Sequence, residues 1–266
     1  MEREELKGDQ IRGQVRDYYA KAASKSGCGC APASSCCSGE AAAKPGSYSE
    51  MLGYQTQELK KLPEGADLGL GCGNPTAIAS LKPGEVVLDL GSGGGIDCFL
   101  AARKVGERGR VIGVDMTPEM VAKARENVAK GGFSNVEFRL GEIEHLPVAD
   151  SSVDVIISNC VINLAPDKRP VYQEAFRALK PGGRLAISDI VATKPLPEAI
   201  RKDAMLWSSC AAGALELGET EKLLRELGFK QVKVTPIERS QELIKSWIGG
   251  EVGSHFVSAT IEAVKP

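Results

Sequence analysis

Val86-Val-Leu-Asp-Leu-Gly-Ser-Gly-Gly-Gly95 reads as a short apolar strand, a carboxylate, a glycine turn and, from Ile96, the start of a helix. An apolar run of this length bounded by glycine suits a strand buried on both faces of a parallel sheet. Glycine lets the backbone turn tightly and come close to a ligand, because no Cβ stands in the way. The spacing Gly91-x-Gly93-x-Gly95 departs from the dinucleotide fingerprint, whose third glycine would fall on Ile96. Asp89 precedes the first glycine by two residues, where it would repel a pyrophosphate and attract an ammonium or sulfonium group. The loop therefore predicts a nucleoside joined to an amino acid as ligand, ahead of NAD or ATP.

Outward from this stretch, strands and helices alternate. Strands are expected at 86–90, 110–115, 136–140, 153–158 and 184–189, with helices at 96–105, 118–131 and 167–179 between them. Pro118 sits at a first helical position, with Thr117 as the expected cap. This βαβ alternation implies a doubly wound, mostly parallel α/β sheet with helices on both faces. On the N-terminal side, residues 1–24 and 48–62 carry helix periodicity, and 24–47 read as a flexible Ser-, Gly- and Cys-rich loop. On the C-terminal side, helices are expected at 196–215, 219–227 and 241–247, and strands at 232–235 and 256–264, making seven strands in all. The expected division is a helical and Cys-rich segment at 1–65, a Rossmann-like cofactor domain at 66–190, and a C-terminal α+β extension at 191–266 that forms the substrate site.

Bulk properties narrow the class. A chain of 266 residues with 42% hydrophobic and 26% charged residues is that of an ordinary globular protein. A net charge of -2 gives no reason to expect nucleic acid or an anionic membrane as partner. No apolar run reaches the roughly 20 residues a bilayer requires, and the charged Met1-Glu-Arg-Glu-Glu5 is unlike a secretory signal. A cytoplasmic monomer is the expectation. In that compartment eight cysteines call for a role other than disulfides.

In a doubly wound sheet the ligand lies over the carboxyl ends of the strands. Asp115, followed by Met116, ends the second strand, where a carboxylate accepts from ribose hydroxyls. Glu142 and Ile143 follow the third strand and would flank an adenine ring, and Asn159 ends the fourth. With Asp89, Gly91, Ser92, Gly93 and Gly95 they make up the candidate cofactor set. Asp89-Leu-Gly-Ser-Gly-Gly-Gly95, Asp115, Glu142 with Leu146-Pro147, and Leu179-Lys-Pro-Gly-Gly-Arg184 resemble the class I S-adenosylmethionine-dependent methyltransferases. The resemblance covers about residues 80–190 and implies that cofactor, without naming an acceptor.

The acceptor is read from the cysteines. Cys72, Cys160 and Cys210 stand singly before, within and after the sheet, and three convergent thiolates suit a soft, trivalent, pyramidal centre. Zinc sites take closely spaced ligand pairs, which these three lack. Cys98, beside Phe99 and Leu100 in a helix, reads as a small buried hydrophobe. Cys28, Cys30, Cys36 and Cys37 crowd the N-terminal loop as a thiol relay or zinc candidate. Gly-Cys72-Gly-Asn-Pro, Ser-Asn-Cys160-Val-Ile-Asn-Leu, Cys210-Ala-Ala-Gly-Ala and Ser258-Ala-Thr-Ile-Glu-Ala-Val-Lys-Pro266 resemble the arsenite methyltransferases. That resemblance implies Cys72, Cys160 and Cys210 as catalytic As(III) ligands, and Cys36 or Cys37 as candidate for a fourth. It also implies arsenite or thiol-bound As(III) as substrate, repeated methylation in arsenic detoxification, and thioredoxin or glutathione as thiol reductant. On thiolate ligation, affinity for As(III) is expected to rise with pH. Two rivals stand beside it: a methyltransferase of a quinone-type carbon acceptor, and a non-catalytic thiol-rich arsenic or zinc sensor.

Overall fold

The computed structural model of the protein describes residues 8–24 and 45–266. The expectations for 1–7, for the loop through 44, and for Cys28, Cys30, Cys36 and Cys37 lie outside those residues. Helix α1 (Gly8–Ser24) and the short helices α2 (Pro45–Met51), α3 (Thr56–Leu59) and α4 (Pro75–Ile78) precede the sheet. Then follow β1 (Val86–Leu90), α5 (Ile96–Val105), β2 (Arg110–Asp115), α6 (Pro118–Gly131), β3 (Val136–Leu140), β4 (Val153–Asn159), α7 (Lys168–Ala178) and β5 (Leu179–Ala192). The chain continues through α8 (Glu198–Arg201), α9 (Ala204–Ser208), α10 (Leu217–Glu226), β6 (Lys230–Ile237), α11 (Gln241–Ile248), α12 (Gly250–Gly253) and β7 (Phe256–Val264).

The strands form one seven-stranded sheet in the order β3-β2-β1-β4-β5-β7-β6. β1 to β5 pair in parallel, and β7 joins β5 and β6 antiparallel. The apolar strands fill both faces. Leu88, Leu90, Ile112, Val114 and Ile156 pack on one side, and Val87, Val111, Val155 and Ile157 on the other. That is why β1 reads as continuous apolar sequence rather than as an alternation. The last two strands extend the same sheet, so the C-terminal segment shares the central core. α1 crosses over it, packing against α6, α9 and the 3-10 turn Ile162–Leu164.

Three expectations are corrected. The helix expected over 48–62 is two helices, α2 and α3, because the chain turns at Gly53 (φ 96°) and Tyr54 is drawn inward. The stretch 196–215 is likewise broken: Asp203 accepts from the N–H groups of Met205 and Leu206 and starts α9 afresh, and α9 ends before Cys210. Thr117 starts α6, but its side chain makes no cap bond to the helix; its N–H donates instead to Asp115 at 2.8 Å.

Candidate active site

The ends of the parallel strands open on a cavity of about 930 Å³, space at its open mouth included. Its floor is the loop Gly91, Ser92, Gly93 and Gly94. Gly91 is in the left-handed region (φ 68°), and a Cβ there would lie 2.3 Å from the Val161 side chain. The turn thus needs both the freedom and the missing side chain. Asp115 stands at one wall, its two oxygens taken by the N–H groups of Gly93 at 2.9 Å and Thr117 at 2.8 Å. Burial raises the Asp115 carboxyl above the usual range, and those two N–H groups oppose the shift.

Asp89 and Asp97 also line the cavity, both buried. Burial drives the Asp89 carboxyl well up, with Asp97 adding to it, while the Cys98 thiol, donating at 3.2 Å, pulls it back. Asp97 is raised by burial to about 6, against hydrogen bonds from Tyr54 and Asn159. Two neighbouring buried carboxylates suit a cation such as an α-ammonium or sulfonium. Ser92 belongs to the floor, but its hydroxyl is turned away from the cavity toward Gly113, is buried, and has no hydrogen-bond partner among the described residues.

Of the expected cofactor residues, Asp89, Gly91, Ser92, Gly93, Asp115, Met116, Ile143 and Asn159 line this cavity. Gly95 does not; it caps α5 (φ 98°). Glu142 does not either: its half-exposed side chain lies 3.8 Å from Arg12, and the buried Glu144 takes the wall. Arg12 and Tyr19, both from α1, close the cavity from above. Sequence reasoning passed over them because α1 lies outside the strand–helix alternation. Asp97, in the first turn after the glycine loop, and Asp189, near the end of β5, were open to the strand-end argument and were not drawn from it.

Beside this cavity the three single cysteines gather, with Cys160 between the other two. The sulfurs that close to within 4.8 Å of a common third donor are those of Cys72 and Cys160, with Asp189, and not that of Cys210. Cys72 sits in a loop whose backbone is held by Asn159. Asn159 accepts from the Cys72 N–H at 3.0 Å and donates to the Gly73 carbonyl at 2.9 Å. Gly71 must be glycine, since its φ is 117° and a Cβ would lie 2.8 Å from the Asn159 amide. Cys160 follows β4, and its N–H donates to the Ser188 carbonyl at 2.8 Å. Cys210 follows α9 and donates its thiol to the Cys160 carbonyl at 2.7 Å. Cys160 and Cys210 are both in the left-handed region, at φ 60° and 61°. That conformation is costly for a residue with a Cβ, and such strain gathers at functional sites.

The thiols of Cys72 and Cys160 interact, as do those of Cys160 and Cys210. Burial raises the Cys72 thiol. Cys160 is pulled down by Cys210, yet Cys72 and burial carry it well above the usual thiol range. Its bond to Cys160, then burial, raises Cys210. All three are therefore thiols rather than thiolates at neutral pH. The Tyr19 ring packs against this cluster, and its hydroxyl hydrogen-bonds toward Cys210 and donates to the Ser208 carbonyl at 3.4 Å. Cys98 is buried as expected, but its thiol is also a donor to Asp89.

Comparison with known proteins gives the family. A family model described as a methyltransferase domain matches residues 81–246. The chain is 52% identical to an arsenite methyltransferase of Halobacterium salinarum, over 97% of this chain and 67% of that protein. It is 42% identical to an arsenite methyltransferase of Homo sapiens over 67% of this chain, and spans half of the human protein's length. Among solved structures it resembles an arsenic(III) S-adenosylmethionine methyltransferase from Chlamydomonas reinhardtii. That match has a TM-score of 0.60 and 36% identity, and covers 82% of this chain and 72% of that one.

Proposed function

The chain belongs to the arsenite methyltransferases, a family of S-adenosylmethionine-dependent enzymes, and we propose that it methylates As(III) held by the sulfurs of Cys72, Cys160 and Cys210. The observation that carries the proposal is the convergence of these three thiols, from three separate segments, beside a cavity floored by the glycine loop.

The cavity fits the cofactor by the chemistry of its lining: a paired Asp89 and Asp97 for a cationic amino-acid end, Asp115 for ribose hydroxyls, and Ile143 as an apolar wall. When bound, S-adenosylmethionine supplies an electrophilic methyl group to the arsenic lone pair and departs as a neutral thioether. The chain's own contribution is positional. Asn159 fixes the Cys72 backbone and Ser188 fixes that of Cys160. Holding the reacting partners in line replaces a chance encounter by a fixed one, worth up to about 7–11 kcal/mol in well-oriented systems. No general base is needed, because arsenous acid can lose its three hydroxyls as water with the three thiol protons.

The reading extends to product and partners as proposals: successive methylations, each leaving arsenic as As(V) that two thiols of glutathione or thioredoxin reduce to As(III) with formation of a disulfide, and work as a cytoplasmic monomer. No helix among the described residues is long and apolar enough to cross a membrane. Cys36 or Cys37 remains the candidate for a fourth sulfur. The test is to replace Cys72, Cys160 and Cys210 one at a time with serine and measure methylated arsenicals. Each replacement should abolish methylation while leaving cofactor binding intact, and full activity in Cys160→Ser would sink the proposal.

A further inference from the structure

Methylation of As(III) leaves one buried group beside the thiols unused. A carboxylate oxygen of Asp189 and the sulfurs of Cys72 and Cys160 all lie within 4.8 Å of one another, and all three residues are buried. The Cys210 thiol is committed elsewhere, to the Cys160 carbonyl. Two soft sulfurs and one hard oxygen are a donor set that thiophilic divalent ions accept. Metal–sulfur bonds of about 2.3 Å and metal–oxygen bonds of about 2.1 Å set tetrahedral donors about 3.5–3.8 Å apart, so closure needs shifts on the order of 1 Å.

Asp189 is prepared for such a role. It accepts from the Ile162 N–H at 2.9 Å, the Asn163 amide at 3.0 Å and the Ile190 N–H at 2.8 Å. The Asn163 backbone N–H bonds it as well, so these contacts fix its orientation, and a bound cation would share an oxygen with one of them. Charge permits the same occupant: two thiolates neutralise a divalent ion, and the Asp189 carboxylate is balanced by the buried Lys168 ammonium, which interacts with it. Lys168 is itself anchored on the carbonyls of Ala165 and Asn163 at 2.7 and 3.3 Å. As(III) on three thiolates takes Cys210 in place of Asp189. Buried charge is tolerated when it is compensated in this way.

We infer that Cys72, Cys160 and Asp189 form a binding site for a thiophilic divalent cation, zinc or cadmium, which overlaps the arsenic site and excludes arsenite from it. The ion replaces the two thiol protons, which pass to solvent. The overlap rests on the three-thiol reading of arsenic binding; the cation site does not.

Cadmium titration of the full chain, followed by cadmium–thiolate absorption in the ultraviolet, tests the site, with arsenite binding followed by calorimetry in parallel. Cys72→Ser and Cys160→Ser should each lose one equivalent of cadmium relative to the unmodified chain, and cadmium held elsewhere cancels in that comparison. Cys210→Ser should keep the equivalent while losing arsenite. Asp189→Asn should bind cadmium at least tenfold more weakly and arsenite within about threefold of normal. In the unmodified chain one bound equivalent of cadmium should block arsenite, a result that needs no variant to fold. Retained cofactor binding certifies each variant's fold. Cadmium binding indifferent to Cys72 and Cys160, or arsenite binding unhindered by cadmium, overturns the inference. So does an Asp189→Asn protein that loses both ligands equally, since Asp189 would then only position the thiols. Arsenite binding that survives all three cysteine replacements defeats the three-thiol reading instead and leaves the cadmium arms to be judged alone.

Discussion

The side chain of Asn159 accepts a hydrogen bond from the backbone N–H of Cys72 at 3.0 Å, so the last residue of β4 holds a thiol-bearing loop that lies 87 residues earlier. The same amide donates to the Gly73 carbonyl at 2.9 Å and to the Tyr54 hydroxyl at 3.0 Å, and Tyr54 donates onward to Asp97 at 2.8 Å. One chain of hydrogen bonds thus joins the cofactor cavity to the thiol loop. Asn159→Ala removes both ends of the brace and leaves buried backbone groups unpaired, at a cost of about 1–3 kcal/mol. The expected result is a lower melting temperature and arsenite affinity reduced tenfold or more. Gly71→Ala, which drives a Cβ into the Asn159 amide, should do the same. Normal arsenite affinity in both variants would mean that the Cys72 loop holds itself.

Ser92 offers a cleaner separation of stability from binding. Its buried hydroxyl has no partner among the described residues, so Ser92→Ala removes an uncompensated polar group from the ligand-free protein. Melting of the ligand-free protein should hold steady or rise, by up to about 1 kcal/mol. Cofactor affinity should be unchanged, because the hydroxyl faces Gly113 and not the cavity. A loss of about tenfold in calorimetry, or about 1.4 kcal/mol, would show that the hydroxyl meets the ligand.

Asp97 sets the pH dependence of cofactor binding. Burial lifts its carboxyl from 3.8 to about 6, so between about pH 4 and 6 the folded, ligand-free protein holds a proton that the unfolded chain has released. The stability this proton contributes is complete below about pH 4 and is lost as pH rises through 6. A cationic ligand prefers the ionised pair and reverses the penalty. The gain in melting temperature on adding cofactor should therefore be larger at pH 7 than at pH 5. Asp97→Asn should flatten that difference, and an unchanged pH profile in the variant would remove Asp97 from cofactor recognition.

The parallel core was legible because β1 to β4 obey one local rule: a strand buried on both faces must be apolar throughout, and its end faces the ligand. Asp115 and Ile143 followed from that rule alone. Glu142 and Glu144 did not, since two acidic residues flanking Ile143 look alike in sequence, and it is Arg12, from a distant helix, that holds the buried Glu144 at 3.2 Å and leaves Glu142 at 3.8 Å. The three thiols were visible as isolated cysteines, but their convergence depends on Asn159, whose partners lie far away in the chain. α1 was readable as a helix from its periodicity. Its place over the cavity was not, because amphipathicity records that a face is buried and not what buries it.

The expectation that arsenite affinity rises with pH changes once the thiols are seen to be buried. Burial and their mutual bonds keep Cys72, Cys160 and Cys210 protonated at pH 7. Arsenous acid then exchanges three hydroxyls for three sulfurs and releases three waters, with no net gain or loss of protons. Affinity should be flat from pH 6 to 8 and should fall only where the thiols ionise. Calorimetry in buffers of different ionisation heat should find no proton released, and proton release near neutrality would place a thiolate in the ligand-free site.

The left-handed backbone at Cys160 gives a last prediction that distinguishes function from packing. At φ 60°, a residue with a Cβ pays about 1–2 kcal/mol that glycine does not. A cysteine kept there only to fill the core would be bettered by glycine on backbone grounds, while one kept to present its sulfur would not. Cys160→Gly should therefore melt higher than Cys160→Ala, by about 1 kcal/mol after the greater freedom of unfolded glycine is set against the relief. Both variants should be inactive toward arsenite and should bind cofactor normally. The same order is expected at Cys210, whose φ is 61°. Alanine variants as stable as the glycine variants would show that the strain is absent. Inactive glycine variants of higher stability would show that the site keeps a strained backbone for the sake of its thiols.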